Sequence, residues 1–257
     1  AFTQLDRFRK RVQLFITRHP ELTANVHLPT KRGCGDRYML SILNEQKLRR
    51  VLSRMLDESE FLSEYGIRAL SRYHQEHPYV FYYQGQEFKV EYIPGDSNTG
   101  MFGGNSNWRG PIWMPVNILL LRSLLHQYTY YGDDFTIEYP TGSGQAMTLY
   151  DVVNEIANRL TSIFLPDSSG RRPVYGATEK FQTDPHWQDL ILFYEYFHGD
   201  NGAGIGASHQ TGWTGCIARI LQMQGLLSKE IIMTVLTPGA HLRTTPAKAE
   251  PAATKSK

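Results

Sequence analysis

Residues 103–131 read GGNSNWRGPIWMPVNILLLRSLLHQYTYY, an aromatic and polar loop that runs directly into a long apolar segment. The glycines and prolines of the first half disfavour an ordinary helix or strand and predict an irregular loop over residues 103–115. The second half, residues 117–131, has the apolar density of a buried helix. Pro115 suits the first turn of that helix and Gly132 suits its end. This stretch therefore predicts a mainly α fold with chemistry carried on a loop.

The side chains of this loop match the surface of a sugar ring. The flat indoles of Trp108 and Trp113 suit the apolar face of the ring, and the polar groups of Asn107 and Arg109 suit its hydroxyls. The alternative is a packed corner in which Arg109 stacks on a tryptophan. Since the loop alone supports both interpretations, the rest of the chain has to distinguish them.

Outside this stretch the chain is predominantly helical, with one β excursion. Apolar residues recur at helical spacing in four further segments, at about 4–18, 45–56, 148–165 and 210–224. Residues 79–83 and 87–92 flank Gly85 and predict a β-hairpin. Residues 24–38 and 167–184 are rich in turn formers and predict loops.

Paired helices with irregular loops at one end suit a partial (α/α)6 toroid, and a plain helical bundle fits the same periodicity. Residues 226–257 predict a C-terminal extension. From about His241 this extension consists largely of Ala, Thr, Pro and Lys, a composition that predicts disorder.

The chain of 257 residues has a formal net charge of +2 and is 41% hydrophobic, enough for one domain or a large piece of one. A charge so near zero does not indicate a nucleic acid or an acidic lipid surface as partner. The longest apolar run, residues 116–125, is too short and too polar to span a bilayer. Cys34 and Cys216 lack metal-ligand spacing and the N-terminus lacks a signal-peptide pattern, which favours free thiols in the cytoplasm. One disulfide between these cysteines also fits the sequence.

A second dense stretch, residues 193–202 (FYEYFHGDNG), places Glu195 among four aromatic residues. A carboxylate in such surroundings is exposed, paired with an arginine, or held desolvated for acid–base chemistry. The glycines that follow, within residues 202–206, are a weak phosphate signal because no parallel strand precedes them and no P-loop lysine follows. His74 and His77 lack a third ligand, so we predict neither a metal site nor a cofactor.

Three motifs follow one another along the chain: NSNWRGPIWMP at residues 105–115, EYFHGD at 195–200 and QTGWTG at 210–215. Together they resemble glycoside hydrolase family 63, which contains processing α-glucosidases and bacterial α-glycosidases. The resemblance covers at least residues 53–221 and is greatest to the large bacterial and fungal members. The family is built on an (α/α)6 toroid and hydrolyses its substrate bond with inversion.

The resemblance implies a role for each motif. Glu195 would be the general base that activates water. The substrate-binding residues would be Asn107, Trp108, Arg109, Trp113, Gln210 and Trp213. The family's general acid is an aspartate on an earlier loop, and no matching motif is recognisable in residues 1–104. Three aspartates there (Asp36, Asp57 and Asp96) lack the matching context.

Inverting hydrolysis needs two carboxyl groups roughly 6.5–9.5 Å apart, and six helix pairs need far more chain than is present here. We therefore predict that residues 1–225 are the C-terminal part of an (α/α)6 catalytic domain. Its expected partners are an oligosaccharide or glucoside substrate and the N-terminal remainder of the same polypeptide, and neither a nucleic acid nor a membrane. Two alternatives remain: a non-catalytic carbohydrate-binding or scaffold module, and a lyase or phosphorylase on a similar toroid.

Overall fold

The computed structural model describes residues 5–24, 27, 31–104, 107–210 and 212–235. Three motif residues (Asn105, Ser106 and Thr211) and the side chain of Asn107 lie outside the described residues. The C-terminal residues from 236 also lie outside them, so the predicted disorder beyond His241 stays a prediction.

The described part is mainly α, as the sequence predicts. Its helices are α1 (Asp6–Arg18), α2 (Pro20–Thr23), α3 (Glu45–Met55), α4 (Met114–Tyr131), α5 (Leu149–Ser162), α6 (Glu179–Thr183), α7 (Ile217–Leu226) and α8 (Lys229–Val235). The helix predicted from residue 117 begins three residues earlier, at Met114, because Pro115 occupies its first turn. None of the described residues of α1 is buried, although the amphipathic helix predicted there is present.

The strands of the described residues form four separate two-stranded antiparallel sheets. They are β1 (Leu62–Ser63) with β2 (Gly66–Ile67), β3 (Tyr79–Tyr83) with β4 (Gln86–Val90), β5 (Thr136–Glu138) with β6 (Ala146–Thr148), and β7 (Tyr196–Phe197) with β8 (Gly204–Ile205). The predicted hairpin is β3–β4, with Phe81 opposite Phe88. The other strands have two or three residues each, too few for alternation to show in the sequence.

Two sequence predictions about local structure are wrong. The helix predicted from Gln210 begins only at Ile217, because the buried Thr214 donates its hydroxyl hydrogen bond to the backbone carbonyl of Tyr194. Such a side-chain bond to the backbone competes with helix formation. The segment 167–184, predicted as a loop, contains α6, which is only five residues long. Gln210 and Trp213 therefore lie on a turn and not on a helix.

The core forms where α4 packs on α5 and α5 packs on α7. Its fully buried side chains include Leu121, Leu149, Ile156, Leu160 and Phe197. A capping box fixes the start of α5: Thr148 accepts a hydrogen bond from the backbone of Asp151, whose carboxylate accepts from the backbone of Thr148. Among the described residues, no helix has the length and apolar character needed to cross a bilayer.

A fully buried amide, Asn117, joins α4 to β2. Its Oδ1 accepts from the backbone N–H of Ile67 at 2.9 Å, and its Nδ2 donates to the carbonyls of Ile67 and Trp113 at 3.0 Å each. The side chain thus takes the place of a neighbouring strand for β2. It also ties that strand to the residue where the tryptophan-rich loop enters α4.

Asn117→Leu is expected to lower the free energy of unfolding by about 2–4 kcal/mol, because it leaves the N–H and C=O of Ile67 buried without partners. Urea denaturation followed by circular dichroism measures this loss. Asn158→Leu is the matched control, since Asn158 is an exposed amide on α5, and we expect a change within about 0.5 kcal/mol there. Equal losses in the two variants would contradict the structural role of Asn117.

Candidate functional site

The motif regions meet through backbone hydrogen bonds. Ile112 of the tryptophan-rich loop exchanges two such bonds with Phe197, with N···O distances of 2.7 and 2.9 Å. On the other side of Glu195, the N–H of Gln210 donates to the carbonyl of Phe193 at 2.8 Å. Glu195 therefore lies on a short segment that joins the loop to the turn carrying Trp213.

Two glycines make room for the segment around Glu195. Gly206 has a φ of +78°, and a Cβ atom there would lie 2.8 Å from Oε2 of Glu195 and 3.0 Å from its Cβ. Gly204, which pairs with Phe197 in the β7–β8 ladder, leaves the space that the ring of Tyr194 fills. Glu195 is half-buried. The carboxylate of Glu195 thus lies against the backbone of Gly206, where a side chain would displace it.

Three tryptophans form one aromatic cluster. The ring of Trp108 meets Trp113 edge-on at a centroid distance of 4.4 Å, and Trp113 lies 5.1 Å from Trp213. Trp108 is 54% exposed, so one of its surfaces is open to a ligand. The indole N–H groups of Trp113 and Trp213 are buried and find no acceptor among the described residues. The cluster therefore presents one open aromatic face, that of Trp108, on top of two indoles whose N–H groups are inaccessible to solvent.

Arg109, the neighbour of Trp108, is only 1% exposed. Its guanidinium donates to the hydroxyl of Thr99 at 2.9 Å and to that of Ser97, and its backbone carbonyl accepts from Ile93 at 2.6 Å. In this structure Arg109 ties the segment after the hairpin to the tryptophan-rich loop. Gln210 is half-buried, and its peptide group fixes the opposite side of the site.

A polar cluster that the sequence did not reveal includes Asp200, five residues after Glu195. Oδ1 of Asp200 accepts from Nη2 of the buried Arg68 at 3.1 Å and from the hydroxyl of Tyr92 at 2.9 Å. Nε of Arg68 in turn donates to the Tyr92 hydroxyl oxygen at 3.0 Å. Asp200 belongs to the EYFHGD motif, whereas Arg68 belongs to no motif and Tyr92 is the last residue of the predicted hairpin strand.

His198, between Glu195 and Asp200 in the chain, is half-buried. Burial lowers the pKa of its imidazole, and the charges of Asp200 and Asp96 act in the opposite direction. Its Nδ1 accepts from the backbone N–H of Asp200 at 3.1 Å, so the neutral ring carries its proton on Nε2. This bond closes the turn that follows β7.

No group of three or more His, Cys, Asp or Glu side chains within the described residues could hold a metal ion. Cys34 and Cys216 are both free thiols, which settles the disulfide alternative. Burial raises the pKa of the Cys216 thiol.

Comparison with known proteins identifies related chains. A family model described as the mannosylglycerate hydrolase MGH1-like glycoside hydrolase domain matches residues 36–214. An uncharacterized protein of Saccharomyces cerevisiae, YMR196W, is 46% identical over 226 residues, which are 87% of this chain and 21% of the relative. A mannosyl-oligosaccharide glucosidase of the same yeast is 25% identical over 69% of this chain and 15% of its own length. A probable mannosyl-oligosaccharide glucosidase of Schizosaccharomyces pombe is 26% identical over 71% of this chain and 16% of its own length.

Proposed function

The chain belongs to the family of mannosylglycerate hydrolase MGH1-like glycoside hydrolase domains, and we propose that it supplies part of the active site of an inverting α-glycosidase acting on α-glucosides. The family match and the named glucosidase relatives confirm the resemblance to glycoside hydrolase family 63. The proposal extends to an (α/α)6 toroid of which residues 1–225 are the C-terminal part.

The main support for this proposal is that the three motif regions contact one another around Glu195. Two backbone contacts, Ile112 with Phe197 and Phe193 with Gln210, join the three motif regions at the segment that carries Glu195. A packed corner would bury all of its indoles, whereas Trp108 is 54% exposed and packs edge-on against Trp113. An exposed aromatic face is the surface against which the apolar face of a sugar ring packs.

In the proposed reaction Glu195 is the general base. Its carboxylate takes a proton from a water molecule while the water oxygen forms a bond to the anomeric carbon. The glycosidic C–O bond breaks on the opposite face, and a general acid protonates the leaving oxygen. The products are a sugar of inverted anomeric configuration and the free aglycone alcohol.

We propose that the general acid comes from another part of the polypeptide. The chain spans between 15% and 21% of the length of the curated relatives that it matches. An acid supplied by another segment would meet Glu195 across the sugar, at the separation of roughly 6.5–9.5 Å that inversion requires. Hydrolysis is therefore assayed with the full-length protein, and sugar binding with this chain as well.

Trp108→Ala is expected to weaken the binding of an α-linked glucose disaccharide about tenfold, because it removes the open aromatic face of the cluster. Isothermal titration calorimetry measures the affinity, with mannosylglycerate as a second ligand that the family description suggests. Trp187→Ala is the matched control, since Trp187 packs on Phe181 at 5.2 Å and belongs to no motif. Unchanged affinity in Trp108→Ala would contradict the platform.

A non-catalytic carbohydrate-binding module is the second candidate function. The observation that favours it is the exposed Trp108, which can bind a sugar without any carboxyl pair. One experiment distinguishes the two candidates: if the protein is a binding module, it binds the disaccharide but the full-length protein releases no sugar.

The free thiols of Cys34 and Cys216 support a reducing compartment, and we propose that this compartment is the cytoplasm. Fluorescence microscopy of the tagged full-length protein tests this location.

A further inference from the structure

The cluster of Arg68, Tyr92 and Asp200 is a closed ring of hydrogen bonds. Arg68 donates to both other members, at 3.0 and 3.1 Å, and Tyr92 donates to Asp200 at 2.9 Å. The side chain of Arg68 is 5% exposed and that of Asp200 is 33% exposed. Burial raises the pKa of Tyr92 well above its usual value, so its hydroxyl keeps the proton that it donates.

Stability alone does not explain this cluster. Taking a guanidinium out of water costs several kcal/mol, and well-packed apolar residues often stabilise a fold as well as a buried ion pair does. An ion pair with hydrogen bonds is directional, so it fixes the relative position of the chain segments that carry its two charged groups.

The ring fixes the chain immediately after Glu195. The residue before Asp200, Gly199, is bound twice more: its N–H donates to the carbonyl of Pro94 at 2.8 Å, and its own carbonyl accepts from the hydroxyl of the buried Ser63 at 2.5 Å. A Cβ atom at Gly199 would lie 2.6 Å from the hydroxyl oxygen of Tyr92. The turn at residues 199–200 thus has a single position relative to the ring.

The same ring is joined to the tryptophan-rich loop. Arg68 forms a β-bridge with Ile112, and Ile112 forms a second one with Phe197. The backbone that carries Glu195 is therefore held at Phe197 and again at Asp200 by elements that meet at Arg68. Movement of this anchor changes the position of the carboxylate relative to the tryptophan cluster.

We propose that Asp200, held by Arg68 and Tyr92, is a positioning residue that sets the location of the Glu195 carboxylate. This inference rests on the proposed function, because it assigns a catalytic consequence to the position of Glu195. Asp200 touches neither the substrate nor the reacting water in this scheme; it acts through the backbone of the turn.

The experiment compares kcat and KM of the full-length protein carrying Asp200→Asn with those of the unchanged protein. A displaced base is expected to lower kcat about 10–100-fold, and KM stays within about threefold because the tryptophan cluster is intact. The matched control is Asp133→Asn in the turn that follows α4. Asp133 Oδ1 accepts from the Tyr128 hydroxyl at 3.1 Å and from Lys229 at 2.8 Å, the same pairing of a tyrosine and a cation on one carboxylate oxygen. This control is expected to keep the unchanged kcat.

A double substitution separates positioning from general damage. Asp200→Asn is expected to have no further effect on kcat when combined with Glu195→Gln, because the group that it positions is already inactive. The same fold-loss in both backgrounds would overturn the proposal, and so would a kcat equal to that of Asp133→Asn. Should Asp200→Asn fail to fold, Tyr92→Phe removes the two hydrogen bonds of the Tyr92 hydroxyl, one to Asp200 and one from Arg68, and keeps the aromatic ring; an unchanged kcat in that variant would also overturn the proposal.

The proposed function fails by a different result. If the unchanged full-length protein releases no sugar from any α-glucoside, the glycosidase assignment is overturned and the positioning role falls with it. If it does release sugar and the Asp200 and Tyr92 variants match it, the positioning role alone is overturned.

Discussion

Glu195→Gln is expected to lower the kcat of the full-length protein by about 10³-fold or more, while the affinity for an α-linked disaccharide stays nearly the same. The amide keeps the shape of the carboxylate and fits the same space beside Gly206, but it cannot take a proton from water. Proton NMR of the reaction in its first minutes measures the rate and shows which anomer is released.

The control for this prediction is Glu87→Gln on the hairpin. Glu87 is a glutamate that accepts a hydrogen bond from the hydroxyl of Tyr82 at 2.8 Å, and it lies on an exposed ribbon outside the motifs. We expect kcat to be unchanged there. Near-full activity in Glu195→Gln would remove Glu195 as the base, and release of the retained anomer would remove the inverting mechanism.

The long elements of this fold could be predicted because their apolar pattern runs over many residues. Helices α4 and α5 each bury mainly apolar residues at helical spacing. The hairpin has a glycine in its turn. The shorter strands could not be predicted. Each has only two or three residues, which carry no periodicity of their own, and the contact between Ile112 and Phe197 joins segments that are far apart in the sequence.

Within the site, the sequence predicts which residue types are present but not which way their side chains point. Trp108 and Arg109 are neighbours, yet one is 54% exposed and the other 1% exposed. Both lie in the short 3₁₀ turn Asn107–Arg109, which aims successive side chains to different sides. Which of them faces outward is decided by the hydroxyls of Ser97 and Thr99, which bind Arg109.

For the same reason, the hydrogen-bonded ring of Arg68, Tyr92 and Asp200 could not be predicted from the sequence. Arg68 and Asp200 are 132 positions apart, and Tyr92 lies between them on a third segment. An isolated arginine is ordinarily exposed, so nothing local distinguishes Arg68 from the other basic residues of the chain. Only the meeting of three segments gives it a role.

Gly206→Ala tests whether the backbone opposite Glu195 holds the carboxylate in place, and it is expected to lower kcat about 100-fold. Two effects act in this variant. The φ of +78° at Gly206 is unfavourable for alanine by roughly 1–2 kcal/mol, and the new methyl group would lie 2.8 Å from Oε2 of Glu195. The first effect lowers stability and the second displaces the base.

Gly170→Ala separates the two effects, because Gly170 has a φ of +81° and no atom within 4 Å of its Cβ position. Alanine at position 170 has the same unfavourable φ but contacts no other group. We therefore expect the two variants to lose similar stability in thermal denaturation, and only Gly206→Ala to lose kcat. If both retain the same kcat, the carboxylate tolerates displacement and the contact with Gly206 has no catalytic role. If only Gly206→Ala loses rate, the loss measures how closely the position of Glu195 is coupled to the turn that faces it, since the backbone cost of a positive φ is common to the two variants.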